Sequence, residues 1–596
     1  MRIENALLIV TIATVAGSLS APAARCQTGT LDGPAELPRA YVSTALANSP
    51  SPGKSVQVRR GDDLQRALDH ASCGDTLRLD AGAQWAGIFR LPAKSCDDQH
   101  WITIRTSAED AALPAESKRL TPCYAGAASL PGRPEYVCPS PQNVLARLVM
   151  DQSGSGPVVL QNGANHYRLI GLEITRAIPS KVVYNLIAAD KDGGFNHLTL
   201  DRVWVHGTAQ DETVRGLMLT GATYVAVVDS YFSDFHCVAV TGACVDAQAI
   251  AGGLGDRPSG TFEIANNFLE ASGENILFGG GEATQTPTDI AIRRNHFFKP
   301  LNWQAGAAGF IGGDSGRPFI VKNLLELKNA ERVLIEGNVM ENVWGGFSQG
   351  GFAILLTPKN QNGHCPPCKV NDVTVRLNQV RRMASGMQIA AGLSDAGAAS
   401  AGAARISVHD NVLDEIDAAT YKGSGVFAQI SSNTPPLHDL NVSHNTAFPS
   451  KALFIIGGQN SAGKMSNFSF ADNLFSGGDT DIISTGGGPA NCAFQPAQQG
   501  PSGVLRSCFS SHRFSGNVIA GSKGKWPEGN FTPSDAVSAG VSDFHNGSAG
   551  NYRLCRDKGD PHPSCKKASP YLHTSSDGKP AGADLDAVKA AIEGVE

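Results

Sequence analysis

A short pattern of hydrophobic and polar positions recurs along the middle of the chain. Three positions alternate apolar, variable and apolar, two variable positions follow, and an Asn then precedes another apolar pair. Successive copies are separated by 28 to 43 residues. The seven clear copies read FEIANNFL, IAIRRNHF, VLIEGNVM, VTVRLNQV, ISVHDNVL, LNVSHNTA and FSFADNLF, with Asn267, Asn295, Asn338, Asn378, Asn411, Asn445 and Asn473 at the Asn position.

Each copy predicts a β-strand with one buried face, because alternate residues of a strand point to opposite sides. A strand unit that returns every few tens of residues predicts coils that stack on one another. The unequal spacing then indicates loops of variable length on one side of a solenoid. Asn suits the recurring corner because it tolerates a left-handed backbone, and its amide can bond to the Asn one coil above and below. We therefore predict an internal Asn ladder.

Two other repeat architectures fit the pattern less well. A β-propeller needs about four strands per blade and a Trp-Asp or similar mark, which this sequence lacks. A leucine-rich repeat needs a denser frame of Leu residues. The pattern therefore favours a parallel β-helix over residues 56–525.

The two ends of the repeat region carry helical patterns. Gly61 to Ala71 has apolar residues at helical spacing, with Asp62 or Asp63 as the start, and predicts a helix that covers the first coil. We interpret residues 27–55, rich in Ser and Pro, as a flexible linker. Residues 526–596 are predicted to form a C-terminal cap segment, with a second helix in ADLDAVKAAIEGV.

The N-terminus and the cysteines indicate export. Residues 1–26 have the form of a signal peptide, with Arg2 before an apolar run and small residues after it. Apart from Cys26, the cysteines fall into sequence neighbours, which predicts loop-pinning disulfides in a secreted or periplasmic protein. The predicted pairs are Cys73 with Cys96, Cys123 with Cys138, Cys237 with Cys244, Cys365 with Cys368, Cys492 with Cys508, and Cys555 with Cys565.

Composition narrows the class of partner. The 66 glycines, with charged residues at 17% and aromatic residues at 7%, suit many short strands and tight turns. A net charge of -6, with no basic cluster among aromatics, argues against nucleic acid as a partner. No stretch after the signal region is long and apolar enough to predict a membrane span. We expect a monomer.

The N-terminal helix followed by GDTLRL, the Asn-cornered coils and the closing GADLDAV segment resemble the pectate-lyase-like superfamily of exported proteins. The resemblance implies an all-β fold, a right-handed parallel β-helix with an N-terminal capping helix and a short C-terminal helix. It also implies a polysaccharide as partner. It does not specify the reaction, because the superfamily includes lyases, hydrolases, epimerases and proteins of no known activity.

In proteins of this kind the site usually lies on the outer face of one parallel sheet, beneath the longest loops. When the strands of successive coils are aligned with one another, alternate residues point outward and form a row on this face. A second set of residues lies in the loops beside the row. The outward residues are Gln248, Asn275, Glu326, Lys328, Thr357 and Gln388. The flanking residues are Asp246, Glu274, Lys299, Lys322 and Lys359.

These residue types allow three activities. A lyase needs a cation to neutralise a uronate carboxylate and a base for the α proton, for which we predict Lys328 or Lys322 as base and a Ca²⁺ ion held by Asp246 and Glu274. A hydrolase would use Glu274 and Glu326 as a carboxylate pair. A non-catalytic glycan-binding or surface-structural protein would use the amides and Trp303, which is expected to stack on a sugar ring.

Overall fold

The computed structural model describes residues 30–177, 182–191, 193–238, 244–313, 316–346, 349–394, 397–494, 499–542, 552–556 and 565–596. The predicted signal peptide and Cys26 lie outside these residues.

Three long parallel sheets account for most of the described residues. Sheet A has the strands Ser55–Val58, Thr76–Leu79, Ile102–Thr106, Asn165–Ile170, Phe195–Asp201, Ala222–Val228, Gly260–Ala265, Thr288–Arg293, Ala330–Glu336, Lys369–Arg376, Gly402–His409, His438–Ser443, Ser466–Ala471 and His512–Ser515. Sheet B has the strands Gln84–Ala86, Ala146–Met150, Leu172–Arg176, Trp204–His206, Tyr231–Ser233, Phe268–Glu270, His296–Phe298, Val339–Val343, Gln379–Met383, Val412–Ile416, Thr446–Ala447, Leu474–Ser476 and Val518–Ala520. Sheet C has the strands Phe89–Leu91, Gly154–Leu160, Val183–Ala189, Thr213–Met218, Gln248–Gly252, Glu274–Phe278, Leu325–Leu327, Phe352–Leu356, Ser385–Ala391, Val426–Ser432, Ala452–Gly458 and Ile482–Ser484.

The chain visits sheets A, B and C in turn, so each coil contributes one strand to each sheet. Equivalent residues of successive coils lie side by side: Val333 pairs with Val373, and Val373 with Ile406. All three are fully buried in the main hydrophobic cluster. Aliphatic side chains at equivalent positions of successive coils therefore stack on one another and fill the interior. This arrangement confirms the predicted right-handed parallel β-helix.

The predicted Asn ladder is present at the corner between sheets A and B. The side-chain amide of Asn338 donates to Asn378 Oδ1 at 2.9 Å, and Asn378 donates in the same way to Asn411 Oδ1 at 2.9 Å. The backbone N–H of each Asn also donates to the next Oδ1. The ladder runs through the seven predicted residues and on to Asn517 and Asn530. The corner therefore satisfies its own buried polar groups.

The left-handed conformation at this corner is not on the Asn, as the sequence suggested, but on the residue before it. Asn266, Leu377 and Asp472 have φ of 55°, 57° and 62°. This residue makes the turn, which leaves the following Asn free to point its amide into the interior.

The predicted N-terminal helix is Leu64–His70. Asp63 caps it by accepting a hydrogen bond from the backbone N–H of Arg66 at 3.0 Å, and Leu64 and Leu68 are buried over the first coil. The other α-helices in the described residues are Ala418–Tyr421, Pro501–Cys508 and Leu585–Ile592. Short 3-10 helices lie at Leu46–Asn48, Asp110–Ala112, Pro122–Tyr124, Leu301–Trp303, Gln361–Gly363, Asn460–Ala462 and Gly488–Ala490. Two-stranded pairings join Leu31–Asp32 to Ala35–Glu36 and Lys359–Asn360 to Leu393–Ser394.

Residues 30–49 were predicted within a flexible linker, whereas in the structure they lie along the outer face of sheet A. The backbone N–H of Glu36 donates to Asp372 at 3.1 Å, and that of Arg39 donates to Asp289 at 2.9 Å. Arg168 donates to Ser49 Oγ at 2.7 Å. These partners are far away in sequence, so the composition of the segment gave no sign of them.

The C-terminal segment runs back along the outer face of sheet B rather than over the end of the solenoid. The predicted helix is present as Leu585–Ile592, and Val588 packs in a cluster with Val412 and Leu474. The last coil is covered instead by Pro501–Cys508, whose Val504 and Leu505 join the main core. That helix begins at a Pro after a Gly and was not predicted.

All six predicted disulfide pairs are bonded, with S–S distances of 1.86–2.02 Å. Each closes a short loop of 3 to 23 residues, so proximity in sequence identified the partners. Among the described residues, no helix combines the length and the hydrophobicity needed to cross a lipid bilayer.

Candidate functional site

The predicted acidic and basic residues meet where the chain enters sheet C. On the outer face of this sheet Leu277 lies beside Glu326, and Glu326 lies beside Leu355. Their strand neighbours Leu325 and Leu327 point into the core. Glu326 is therefore an outward residue between two outward leucines, yet only 3% of its side chain is exposed.

Three carboxyl groups and two ammonium groups form one connected cluster, which we call the acid cluster. Lys322 Nζ lies 3.1 Å from Asp246 Oδ1 and 3.5 Å from Glu274 Oε1. Lys328 Nζ lies 3.1 Å from Glu326 Oε1. Glu274 is in hydrogen-bonding contact with both Asp246 and Glu326. Carboxyl groups this close share protons, because neighbouring negative charges cannot all persist in a buried site.

The protonation states differ along the cluster. Burial and the adjacent Glu274 carboxylate raise the pKa of Glu326 to about 7, although Lys328 opposes the shift. The same two causes raise the pKa of Asp246 to about 7 against the effect of Lys322. Burial would also raise the pKa of Glu274, but Lys322 and the hydrogen bond with Asp246 outweigh it and hold this pKa well below its ordinary value. The cluster thus has an ionised centre between two groups that titrate near neutrality.

Both lysines of the cluster are cations. Burial would lower the pKa of Lys328, but Glu326 and Glu274 raise it above its ordinary value. Glu274 and Asp246 likewise raise the pKa of Lys322. A lysine acts as a base only when neutral, so these shifts argue against the predicted role of either lysine as the base. They suit both lysines to neutralising negative charge.

The glycines that follow the strand Glu274–Phe278 make room for Lys328. Gly279 and Gly280 have φ of 97° and 84°, which favours glycine. A Cβ added to Gly279 would lie 2.8 Å from Lys328 Cβ. The GGGE sequence is therefore a turn that lets Lys328 pass close to the backbone of the previous coil.

Three of the predicted sugar-contacting residues are fully buried and serve the scaffold. Gln248 donates to Glu274 Oε2 at 2.8 Å and so orients that carboxylate. Asn275 was predicted outward, but its amide donates to the backbone carbonyls of Leu269 and Phe298. Lys299 donates to Asn275 Oδ1 at 2.9 Å and to the backbone carbonyls of the tight corner 271–273.

Lys299 is the one ionisable residue of these three, and burial lowers its pKa to about 7. Its four oxygen partners show that it closes the corner before Glu274. Thr357, also predicted outward, is buried with 2% exposure and extends the ladder of backbone hydrogen bonds beside Lys328.

Trp303 is not available for stacking on a sugar. It is 1% exposed and packs against Phe319 with ring centroids 5.3 Å apart, while the guanidinium of Arg133 lies 5.4 Å from its ring. It anchors the long loop before Lys322. Gln388 is partly exposed on the outer row, one coil beyond Leu355. It remains a candidate contact for a bound chain.

The predicted Ca²⁺ site does not fit this arrangement. Ca²⁺ takes about six to eight oxygen ligands at roughly 2.3–2.6 Å. Asp246 and Glu274 offer suitable oxygens, but the ammonium of Lys322 lies between them within 3.5 Å of both. A calcium ion would have to displace it. The chain itself thus supplies the positive charge that the metal was predicted to provide.

Two members of the site were missed from the sequence. Arg215 is paired in register with Gln248, and the charges of Asp246 and Glu274 partly offset the effect of burial, which lowers its pKa. The amide of Asn323 donates to Glu326 Oε2 at 2.6 Å. Arg215 lies before the seven clear repeats, where the register was not assigned, and Asn323 lies in the loop before its strand.

A groove of about 460 Å³ lies on the outer face of sheet C, on the N-terminal side of the acid cluster. One residue of its lining, Met218, lies in the same outward row as Glu326. The row runs across neighbouring strands from Met218 through Ala251 and Leu277 to Glu326. At about 4.8 Å per coil, the groove begins roughly 14 Å from Glu326. Its lining includes the basic residues Arg90, Lys191 and Arg257 and the acidic residues Asp190 and Asp256, and Arg90 pairs with Asp190 at 2.8 Å.

No protein-family model matches the sequence, and no curated protein is significantly similar to it. Solved structures are similar in fold. An alginate lyase from a Paenibacillus species is 14% identical with a TM-score of 0.30, covering 64% of this chain and 94% of its own. A PL6 family polysaccharide lyase from Pseudopedobacter saltans is 10% identical with a TM-score of 0.33, covering 88% and 99%. A family 28 exopolygalacturonase from Yersinia enterocolitica is 11% identical with a TM-score of 0.30, covering 73% and 76%.

Proposed function

We propose that this protein is an exported carbohydrate-active enzyme that cleaves a uronate-containing polysaccharide by β-elimination at the acid cluster. The observation that carries the proposal is the position of Glu326. It is an outward carboxyl with a pKa raised to about 7, and a lysine that remains a cation lies 3.1 Å away. A base that titrates near the working pH beside a fixed positive charge is the combination that proton abstraction next to a carboxylate needs.

In the proposed reaction, Lys328 and Lys322 hold the uronate carboxylate and stabilise the charge that develops as the α proton leaves. Glu326 takes that proton. The electron pair forms the carbon–carbon double bond while the bond to the glycosidic oxygen breaks, and Asp246, whose pKa is also raised to about 7, protonates the leaving oxygen. Glu274 stays ionised and keeps both lysines in place.

The charge of the cluster favours an anionic substrate. Three cations, Lys322, Lys328 and Arg215, face three carboxyl groups, two of which titrate near neutrality. Positive charge is therefore in excess while Asp246 and Glu326 are protonated. The groove continues this surface along the axis with three basic and two acidic side chains. The coil repeat of about 4.8 Å is close to the length of one sugar unit, so an extended chain can lie along the sheet.

Hydrolysis by the Glu274 and Glu326 pair is less well supported. Glycosidases hold their two carboxyl groups about 5 to 9.5 Å apart to admit a sugar or a water molecule. Here the two carboxyl groups interact directly enough for Glu274 to raise the pKa of Glu326, and Lys328 lies against Glu326 at 3.1 Å.

The test is to incubate the mature protein with a panel of uronate-containing and neutral polysaccharides. Unsaturated products are followed by ultraviolet absorbance, and total cleavage by reducing ends. We expect both signals on a uronate polymer and neither on a neutral one. Reducing ends without unsaturated product would identify a hydrolase, whereas binding without any cleavage would identify a glycan-binding protein. Either result would refute the elimination. Six disulfides favour a secreted or periplasmic location for this activity.

The pH dependence of turnover should depend on Lys328. Glu326 must be ionised to act as a base and Asp246 protonated to act as an acid, and the pKa of each is about 7, so kcat/KM should follow a bell-shaped pH profile with its maximum near 7. The midpoint of its acidic limb reports the ionisation of Glu326. Lys328 lowers the pKa of Glu326, so Lys328→Met should raise this pKa and move the midpoint to higher pH by about one unit or more. The measurement is the pH profile of kcat/KM for both proteins.

Lys451→Met is the matched control, because Lys451 pairs with Asp479 at 2.8 Å just before a strand of sheet C that lies four coils from Glu326. It removes the same charge and should leave the midpoint in place. An unchanged midpoint in Lys328→Met would exclude Glu326 as the titrating base.

Removal of divalent metal should leave turnover unchanged. Lys322 occupies the place between Asp246 and Glu274 where a calcium ion was predicted. We expect equal initial rates after exhaustive chelation and after addition of Ca²⁺. A rate that is lost on chelation and restored by Ca²⁺ would contradict this assignment and show that the ion replaces Lys322.

A further inference from the structure

A second cluster of ionisable groups lies on the outer side of sheet A near the first coils, away from the acid cluster. His166 Nε2 is 3.2 Å from Asp98 Oδ1, and His197 Nε2 is 3.9 Å from the same oxygen. The two imidazole rings are stacked, with centroids 4.3 Å apart and planes 5° from parallel. One ligand atom from each of the three residues lies within 4.8 Å of the others.

The hydrogen bonds of the two histidines fix which nitrogen carries the proton. The amide nitrogen of Asn165 donates to the carbonyls of Lys94 at 2.6 Å and Gly163 at 2.9 Å, so its oxygen must face His166. His166 Nδ1 lies 2.8 Å from that oxygen and donates to it. His197 Nδ1 lies 2.6 Å from Asn196 Oδ1 in the same way. In both rings Nε2 is therefore left with its lone pair.

Two lone pairs and a carboxylate thus converge on one point, which is unfavourable unless a cation lies there. Neutral imidazoles whose Nδ1–H is held by an oxygen acceptor are the usual arrangement of metal-binding histidines.

The scaffold holds these groups rigidly. His166 and His197 occupy equivalent positions on adjacent strands, both with left-handed backbone, at φ of 55° and 51°. Trp101 meets the His166 ring edge to face at 5.1 Å, and Tyr224 stacks on the outer face of His197 at 4.8 Å. The loop that carries Asp98 is tied down by the Cys73–Cys96 disulfide.

We propose that Asp98, His166 and His197 form a binding site for a divalent transition-metal ion such as Zn²⁺, held by the two Nε2 atoms and the carboxylate. Imidazole and carboxylate ligands suit Zn²⁺, whose bonds to them are about 2.0–2.2 Å. Small side-chain rotations close the present distances to that geometry. Asp98 is 77% exposed at the side chain, so the ion can enter from solvent and keep water as its remaining ligand. It would join the disulfide-pinned loop to two coils.

The test is calorimetric titration of Zn²⁺ into the full mature protein after chelation and dialysis, with Co²⁺ absorption as a second readout. We expect one equivalent bound by the wild type. His197→Gln and Asp98→Asn should each weaken that binding at least tenfold. His100→Gln is the matched control, because His100 lies in the same loop but bonds to Asp97 at 2.7 Å, and it should bind normally.

Asn196→Leu removes no ligand but releases the tautomer of His197, and should weaken binding about 10- to 100-fold. Zn²⁺ should also raise the melting temperature of the wild type and of His100→Gln but not that of Asp98→Asn. The proposal would be overturned if the wild type did not bind Zn²⁺. It would also be overturned if His197→Gln and Asp98→Asn bound Zn²⁺ as tightly as the wild type. Melting curves without metal show whether each variant is folded, so a loss of binding in a folded variant reports the site itself.

Discussion

Glu326→Gln should reduce kcat on a uronate polysaccharide by at least about 10³-fold while leaving the protein folded. Gln keeps the size of the side chain, so the packing at the entrance to sheet C is preserved, and its one oxygen can accept from either Asn323 or Lys328, which contact separate oxygens of the carboxylate. It cannot take a proton. The loss should therefore fall on kcat, with little change in KM, because the lysines that hold the substrate carboxylate remain.

Gln388→Ala is the matched control, since Gln388 lies on the same outer row two coils away but touches no member of the acid cluster. We expect it to change KM by a few-fold at most and to keep kcat. Melting curves and initial rates for both variants complete the comparison. Turnover by Glu326→Gln within tenfold of the wild type would place the base elsewhere.

The sequence identified the members of the acid cluster better than their roles. Strand register alone brings Glu326 to the outer face. Glu274 begins its strand, and Asp246 and Lys322 lie two and three residues before theirs, so the repeat pattern predicted that these side chains lie near one another. Protonation depends on burial and on distances of a few ångströms between residues of different coils. Those quantities are absent from any local pattern, which is why the lysines were first interpreted as bases.

Trp303 and Lys299 show where the sequence was misleading. Each lies in the long loop before Lys322, and a polar or aromatic loop residue can face either the solvent or the coil beneath it. Lys299 points inward to close the corner 271–273, and Trp303 packs on Phe319. A pattern of alternating residues specifies direction within strands, but it carries no information about direction in an irregular loop.

The fold, unlike the direction of these loop residues, was predictable from the sequence. Its determinants recur in every coil, so a weak local signal is repeated until it is unmistakable. Two segments that occur once were not predicted: residues 30–49 pair with sheet A over as many as 377 residues of sequence, and the helix Pro501–Cys508 covers the last coil without a repeat to mark it.

Asn378→Ala should lower the thermal stability of the protein by several degrees. The amide of Asn378 donates to the carbonyl of Ile335 at 3.0 Å and to Asn411 Oδ1 at 2.9 Å, and its oxygen accepts the backbone N–H of Asn338 at 2.9 Å. Truncation removes these partners from the Ile335 carbonyl and the Asn338 N–H, at roughly 1–3 kcal/mol for each group that stays unsatisfied, while Asn411 Oδ1 keeps the backbone N–H of residue 378. It also leaves a cavity between Asn338 and Asn411, which are fully buried.

Asn530→Ala makes the same change at the open end of the ladder, where Asn530 is partly exposed and water can replace its hydrogen bonds. Calorimetric melting should therefore show a much smaller shift for this variant. Equal shifts for the two variants would mean that the ladder contributes through local turn geometry, which both positions share, and not through the chain of buried amides. That chain is what holds successive coils in register, and the acid cluster depends on the register because its members come from different coils.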